Sequence, residues 1–228
     1  MRLAATLRCD FRLQLRNGFY YASALVVAVS IVVLQWLPEN AIALLLPVII
    51  FQNVLMNSFY FVAGLTLLEN GEGTRAAQVV TPLRPGEYLA SKLITLGALS
   101  LIESLLISTF VQGVGVGLVP LAIGIALASI LLTLVGIALV SRYHAVNEYL
   151  MPSVLYAALL SLPLLGWFGV GEPILYAWHP LQGPLDLMGA RVVPLSTGRL
   201  LLALVWPLLC IGPLYLWSRR ALSRRVLA

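Results

Sequence analysis

Glu103 is the side chain whose chemistry most needs an explanation, because it is the only charge between Lys92 and Arg142. A carboxyl in that position can meet a cationic or zwitterionic group. Alternatively it can be protonated and hydrogen-bond to a neighbouring helix, serving packing alone. Ser100, Ser104 and Ser108 recur every four residues beside it. On an earlier apolar run Asn53 and Asn57 share that spacing and continue toward Tyr60 and Gly64. Four-residue spacing stacks side chains on one helix face, so both sets read as polar stripes, expected to line a subunit interface or a translocation path. The other reactive residue types carry less. His144 and His179 have no metal or nucleophile partner in the sequence, and His179 reads as an interfacial packing histidine. Cys9 and Cys210 lie near opposite ends of the chain without CxxC spacing, so neither a zinc site nor a disulfide framework is indicated. An intramembrane enzyme would need a convergent catalytic pair, and no GxSG or paired-glutamate motif supplies one. No GxxxxGK[ST] phosphate loop occurs, and the uncharged run Gly113-Val114-Gly115-Val116-Gly117 reads as a hairpin turn.

The elements that hold these residues are set by where charge is missing. Of the 228 residues 61% are hydrophobic and 10% charged, with a mean hydropathy of +0.97. Soluble domains carry about 25% charged residues, so an ordinary globular fold is excluded. No Lys, Arg, Asp or Glu falls between Arg16 and Glu39, Glu39 and Glu69, Glu148 and Glu172, or Arg199 and Arg219. About 20 apolar residues of helix cross a hydrocarbon core roughly 30 Å thick. The chain is therefore expected to be an all-α integral membrane protein with spans at 19–37, 41–67, 89–112, 118–141, 149–170 and 200–217. Pro38 ends the first, Pro47 lies within the second, and Pro152 and Pro163 can kink the fifth. A charge at mid-bilayer costs about 2.5–3.5 kcal/mol, so Glu103 should face protein or water.

Six spans put both termini on one side. That side holds twelve Lys and Arg residues (Arg2, Arg8, Arg12, Arg16, Arg75, Arg84, Lys92, Arg142, Arg219, Arg220, Arg224, Arg225), against Arg191 and Arg199 on the other. The bias predicts cytoplasmic termini in a multi-pass protein of a prokaryotic plasma membrane. The net charge of +5 thus points to lipid and topology, with no nucleic-acid partner. Residues 1–17 do not read as a secretory signal, since Asn17-Gly18 separates the basic region from the apolar run and no small-residue cleavage site follows. Leu3, Leu7, Phe11 and Leu15 repeat every four residues, with Arg8, Arg12 and Arg16 on a neighbouring face. That pattern predicts an interfacial helix with apolar side chains in the acyl boundary and Arg8, Arg12 and Arg16 anchored among lipid phosphates.

The loop between spans two and three is the largest charged one. Thr74 can cap a short helix bearing Ala76, Ala77, Val79 and Val80, stopped at Thr81-Pro82. Glu72-Gly73-Thr74, Thr81-Pro82-Leu83, Glu87-Tyr88-Leu89 and Lys92-Leu93 resemble the loop pattern of type-2 ABC exporter permeases. The opening Asp10-Phe11-Arg12-Leu13-Gln14-Leu15-Arg16 is similar to the elbow helix of that family, and Asn17-Gly18-Phe19-Tyr20 looks most like permease subunits of fluoroquinolone-type drug exporters. The resemblance implies a half-transporter that pairs with a second permease subunit, identical or paralogous. It also implies a separate ABC-type ATPase, holding ATP and Mg, that grips Glu69, Glu72, Gly73, Thr74, Thr81, Pro82 and Leu83. No cofactor is expected on this chain, and no enzymatic site of its own. The expected activity is outward movement of a lipophilic or amphipathic molecule by alternating access. The alternatives are a haem-exporter-like permease of cytochrome maturation and an ATPase-independent transporter. Short external helices are implied between spans five and six, where the chain runs from Gly171 to Gly198 with Trp178 expected at headgroup level; the family often has Asn-Pro where this chain has His179-Pro180.

Overall fold

A computed structural model describes residues 2–71, 85–115, 117–172 and 174–226. The segment 72–84, where the coupling helix is expected, lies outside the described residues. Ten helices follow one another in the described chain: α1 (Arg2–Arg16), α2 (Phe19–Gln35), α3 (Glu39–Gly71), α4 (Pro85–Gln112), α5 (Leu118–Val140), α6 (Val146–Leu160), α7 (Leu162–Trp167), α8 (Ile174–Ala177), α9 (Gln182–Gly189) and α10 (Thr197–Val226). No strand occurs among the described residues. Only helices and closed barrels satisfy their backbone within one element in lipid, and this chain takes the helical solution.

Five helical stretches are long and apolar enough to cross a membrane: α3, α4, α5, α6 with α7, and α10. Taken together as one span, the bent pair α1 and α2 would make a sixth. At 1.5 Å per residue, the 17 residues of α2 reach about 26 Å, slightly less than the hydrocarbon thickness. Gly18 makes the turn into α2 with φ +76°, a left-handed conformation that glycine adopts without penalty. The two helix axes meet at 65°. The fifth span is broken at Ser161, and Pro163 sits in the first turn of its second piece, where a missing N–H costs nothing.

The core is built around α5, whose Ile125, Ala128, Leu132 and Val140 are buried. Small residues let neighbours approach its backbone: Gly124 lies under Pro184 and Leu187 of α9, and Gly136 under Val62 and Phe59 of α3. Ser218 of α10 donates to the Leu134 carbonyl of α5 at 2.6 Å. Outward faces remain apolar. Tyr21, Leu25 and Val29 of α2, Met151 and Leu155 of α6, and Leu202 and Leu209 of α10 are exposed. Water would not tolerate so large an apolar surface; lipid or a second subunit covers it without cost.

The end of α4 at Gln112 and Gly113 is held by Arg191 from the α9–α10 connector. Its guanidinium donates to the Gln112 and Gly113 carbonyls at 3.2 and 3.0 Å, capping carbonyls that the end of a helix leaves unpaired. Where α9 crosses α10, a Cβ on Gly183 would stand 2.6 Å from the Ala203 carbonyl oxygen and 2.7 Å from its Cα. Backbone cannot yield as a side chain does. Gly183→Ala should therefore lower the thermal midpoint of the detergent-solubilised chain by several degrees, reflecting about 1–3 kcal/mol of overpacking. Gly198→Ala, which meets nothing within 4 Å, should leave the midpoint unchanged or raise it. Fluorescence-detected thermal unfolding of both variants checks this.

Candidate functional site

At the end of the bundle where α1 and the last turns of α10 lie, the Lys92 side chain is completely buried. Lys and Arg are almost never fully buried unless paired, and two acids meet this one. Its Nζ donates to Asp10 Oδ1 of α1 at 2.8 Å and to Glu69 Oε1 of α3 at 2.5 Å. Ser91 donates to the other Asp10 oxygen at 2.6 Å, and the Tyr88 hydroxyl to the other Glu69 oxygen at 2.7 Å. The Lys92 ammonium also lies 5.2 Å from the centre of the Tyr88 ring, within cation–π range. One turn along α1, Gln14 donates to Thr95 at 3.0 Å and accepts from Tyr20 at 2.8 Å. Asp10 and Gln14 are thus the i and i+4 residues of a polar face turned toward α4.

That face was invisible in the repeat of leucines and arginines on α1. Leu3 and Leu7 are half-buried and Phe11 and Leu15 exposed, as are Arg8, Arg12 and Arg16. Of the loop residues, Glu69 takes part in the Lys92 knot; Glu72, Gly73, Thr74, Thr81, Pro82 and Leu83 lie outside the described residues. Lys92 itself read as one of twelve topogenic charges and as part of the loop pattern, with no sign that it would be buried. The one local signal was spacing, with Tyr88, Ser91, Lys92 and Thr95 falling on one side of α4.

About three turns further along α4, the two polar stripes meet inside the chain. Asn57 Nδ2 donates to Glu103 Oε2 at 2.6 Å and to Asn53 Oδ1 at 3.1 Å. Ser58 pairs with Ser100 at 3.2 Å. Asn53, Asn57, Ser100, Glu103, Ser104 and Ser108 are all buried, with Ser23 of α2 on the same side of the cluster. Asn57 and Ser58 stand on a π-helical turn, Met56–Tyr60, within α3. The wider turn buries three consecutive residues, Asn57, Ser58 and Phe59, so Ser58 joins a stripe that regular spacing leaves it out of. Asn53 Nδ2, Asn57 Oδ1 and Ser104 Oγ are buried without a hydrogen-bond partner among the described residues. Ser108 lies at the far end of the stripe, 3.4 Å from the Arg191 guanidinium.

His179 is buried between α8 and α9, and its Nδ1 accepts the Leu181 amide at 3.2 Å. Burial pulls its pKa below the ordinary histidine range, which suits a neutral packing role. No cluster of three or more His, Cys, Asp or Glu side chains able to hold a metal occurs among the described residues.

Removing one member of a buried charge cluster leaves the others unpaired, at a cost of about 3–5 kcal/mol. Lys92→Met should therefore abolish a monodisperse peak in detergent size-exclusion chromatography. Lys92→Met combined with Asp10→Asn and Glu69→Gln should restore much of it, because no uncompensated charge remains. A single variant as stable as the parent would show that the knot contributes nothing to the fold.

A family model described as the fluoroquinolones export permease protein family matches residues 1–228. Two curated fluoroquinolones export permease proteins, from two strains of Mycobacterium tuberculosis, are each 33% identical to this chain over 229 aligned positions. Each alignment covers 99% of this chain and 96% of the relative. A helical membrane bundle, a match along the whole sequence and this level of identity agree: the chain belongs to the fluoroquinolones export permease protein family, as a transport subunit of the membrane.

Proposed function

We propose that this chain is the membrane half of an ATP-driven exporter that moves an amphipathic aromatic drug outward by alternating access. The names of its relatives make fluoroquinolones the first class to test. The observation that carries the reading is the Lys92 knot, which joins α1, the last turns of α3 and the first turns of α4. The loop 72–84 springs from that unit at both ends, since α3 ends at Gly71 and α4 begins at Pro85. An ATPase that pushes on Glu72, Gly73, Thr74, Thr81, Pro82 and Leu83 therefore moves three helices together. ATP and Mg belong to that partner; this chain supplies no cofactor.

The basic end faces the cytoplasm of a prokaryotic cell, with both termini inside. Arg8, Arg12 and Arg16 engage lipid phosphates while Phe11 and Leu15 enter the acyl boundary, making α1 an elbow helix lying along the membrane surface. A second permease copy, or a paralogue, covers part of the apolar flank. The Glu103 cluster works where α3 meets α4. Its unfilled donor and acceptors, Asn53 Nδ2, Asn57 Oδ1 and Ser104 Oγ, are completed when those spans part, by the substrate or by the facing subunit.

Two measurements test these assignments. Mild-detergent pull-down of the intact chain should recover a soluble ATPase, and the Glu72→Ala, Thr81→Ala double variant should lose it; recovery of no ATPase by either would favour a self-contained transporter. In an efflux assay Glu103→Gln, which keeps an oxygen for Asn57 but cannot carry charge, should cut transport by about tenfold or more, at normal membrane expression. Unchanged efflux would leave Glu103 a packing residue.

A further inference from the structure

The end of the bundle opposite the Lys92 knot holds a cavity of about 960 Å³ between the first turns of α3, the α7–α9 segment and the first turns of α10. That volume suits a drug-sized molecule. Trp167, Tyr176, Trp178 and Trp206 line it. Three of these rings have already committed their polar edges to backbone carbonyls: Trp167 Nε1 to Leu44 at 2.9 Å, Tyr176 Oη to Val170 at 2.8 Å and Trp206 Nε1 to Trp178 at 2.9 Å. What remains to face a ligand is aromatic carbon. The rings are also held firmly in place. Gly189 lies directly beneath the Trp167 indole and Gly166 beneath the Tyr176 ring, both too close for a Cβ.

One carboxylate lies among these rings. Gln182 Nε2 donates to Asp186 Oδ1 at 2.8 Å, while the second Asp186 oxygen has no hydrogen bond among the described residues. A carboxylate oxygen so placed calls for a donor, and for positive charge. Burial pushes the Asp186 carboxyl up, against the downward pull of Gln182 and Arg199; a cation beside it would favour the charged carboxylate. Arg199, exposed at the rim, can meet an acidic group at the other end of the same molecule.

We propose that this cavity is a release-side binding site for a planar aromatic amphiphile bearing a protonated amine, with the ammonium on Asp186 and the rings among Tyr176, Trp178 and Trp206. The assignment rests on the export reading above, in which this end of the bundle faces outward. A lipid headgroup with a primary ammonium offers the same charge without the aromatic rings, so the test must separate the two.

The full chain in phosphatidylcholine nanodiscs, with no ATPase, is titrated with norfloxacin and with its N-acetylated form, reading tryptophan fluorescence. Norfloxacin should quench saturably, and Asp186→Asn, which preserves shape and the Gln182 contact, should weaken its binding roughly tenfold or more. Trp178→Ala, at an exposed ring, should weaken it too. The N-acetylated form, which lacks the ammonium, should bind poorly to parent and Asp186→Asn alike. Equal norfloxacin affinity in the parent and Asp186→Asn, or equal affinity for both probes, would overturn the proposal. Replacing phosphatidylcholine by phosphatidylethanolamine gives the remaining arm. Loss of norfloxacin binding there, with the ethanolamine lipid retained by the parent but not by Asp186→Asn in native mass spectrometry, would assign the cavity to a headgroup and overturn the drug site. Because binding is read without ATP, the expected pattern alongside absent ATP-driven transport would support this site and count against the export reading alone.

Discussion

An ammonium group cannot be taken out of water without company, and Lys92 has brought its company from distant parts of the chain. Asp10 lies 82 residues away and Glu69 23 residues away, so the pairing is a statement about three-dimensional arrangement. Once Lys92 is buried, α1 must lie against α4 and the end of α3 must lie beside both. The Ser91 and Tyr88 hydroxyls then take the remaining carboxylate oxygens, leaving little freedom in how the three helices meet. Hydrophobic packing alone would not fix this geometry, because the apolar surface of α4 would accept several neighbours in lipid.

Much of the helical layout could be read from the chain because lipid penalises charge so heavily. The charge-free intervals, Pro38 and the Asn17-Gly18 step coincide with helices and their ends. The polar stripes were legible too, each marked by an unusual residue type at helical spacing, but only the folded chain shows Asn57 meeting Glu103. What stayed hidden was anything set by long-range pairing. Lys92 is indistinguishable in sequence from an arginine that merely biases topology. Asp10 and Gln14 are two polar residues inside a basic helix, and nothing local says which face turns inward. Ser58 was missed because a π turn breaks the four-residue rhythm, and no residue type announces such a turn. The aromatic cavity draws its walls from three separated segments, so only the folded chain assembles it.

The two ends of the bundle solve different problems. One end is tied by ions and hydroxyls. The other is built from rings, glycines and prolines around open space. The two ends thus differ in what holds them: charge and hydroxyl pairing at one, packed rings at the other. The α9 helix contributes to this by resting its backbone on Gly124 of α5 and packing Gly183 against α10, so the floor of the cavity is fastened to the central helix.

The π turn at Met56–Tyr60 also sets the phase between the two ends of α3. A π turn holds one residue more than an α turn, and each α-helical residue rotates the chain by about 100°. Asn53 before the turn and Glu69 after it are therefore phased by that extra residue. Relaxing the turn to ordinary helix with every residue kept would swing Glu69 about 100° away from Lys92 while Asn53 stayed in place. The second span thus works like a keyed shaft: the wide turn absorbs the residue that would otherwise put its two ends out of phase.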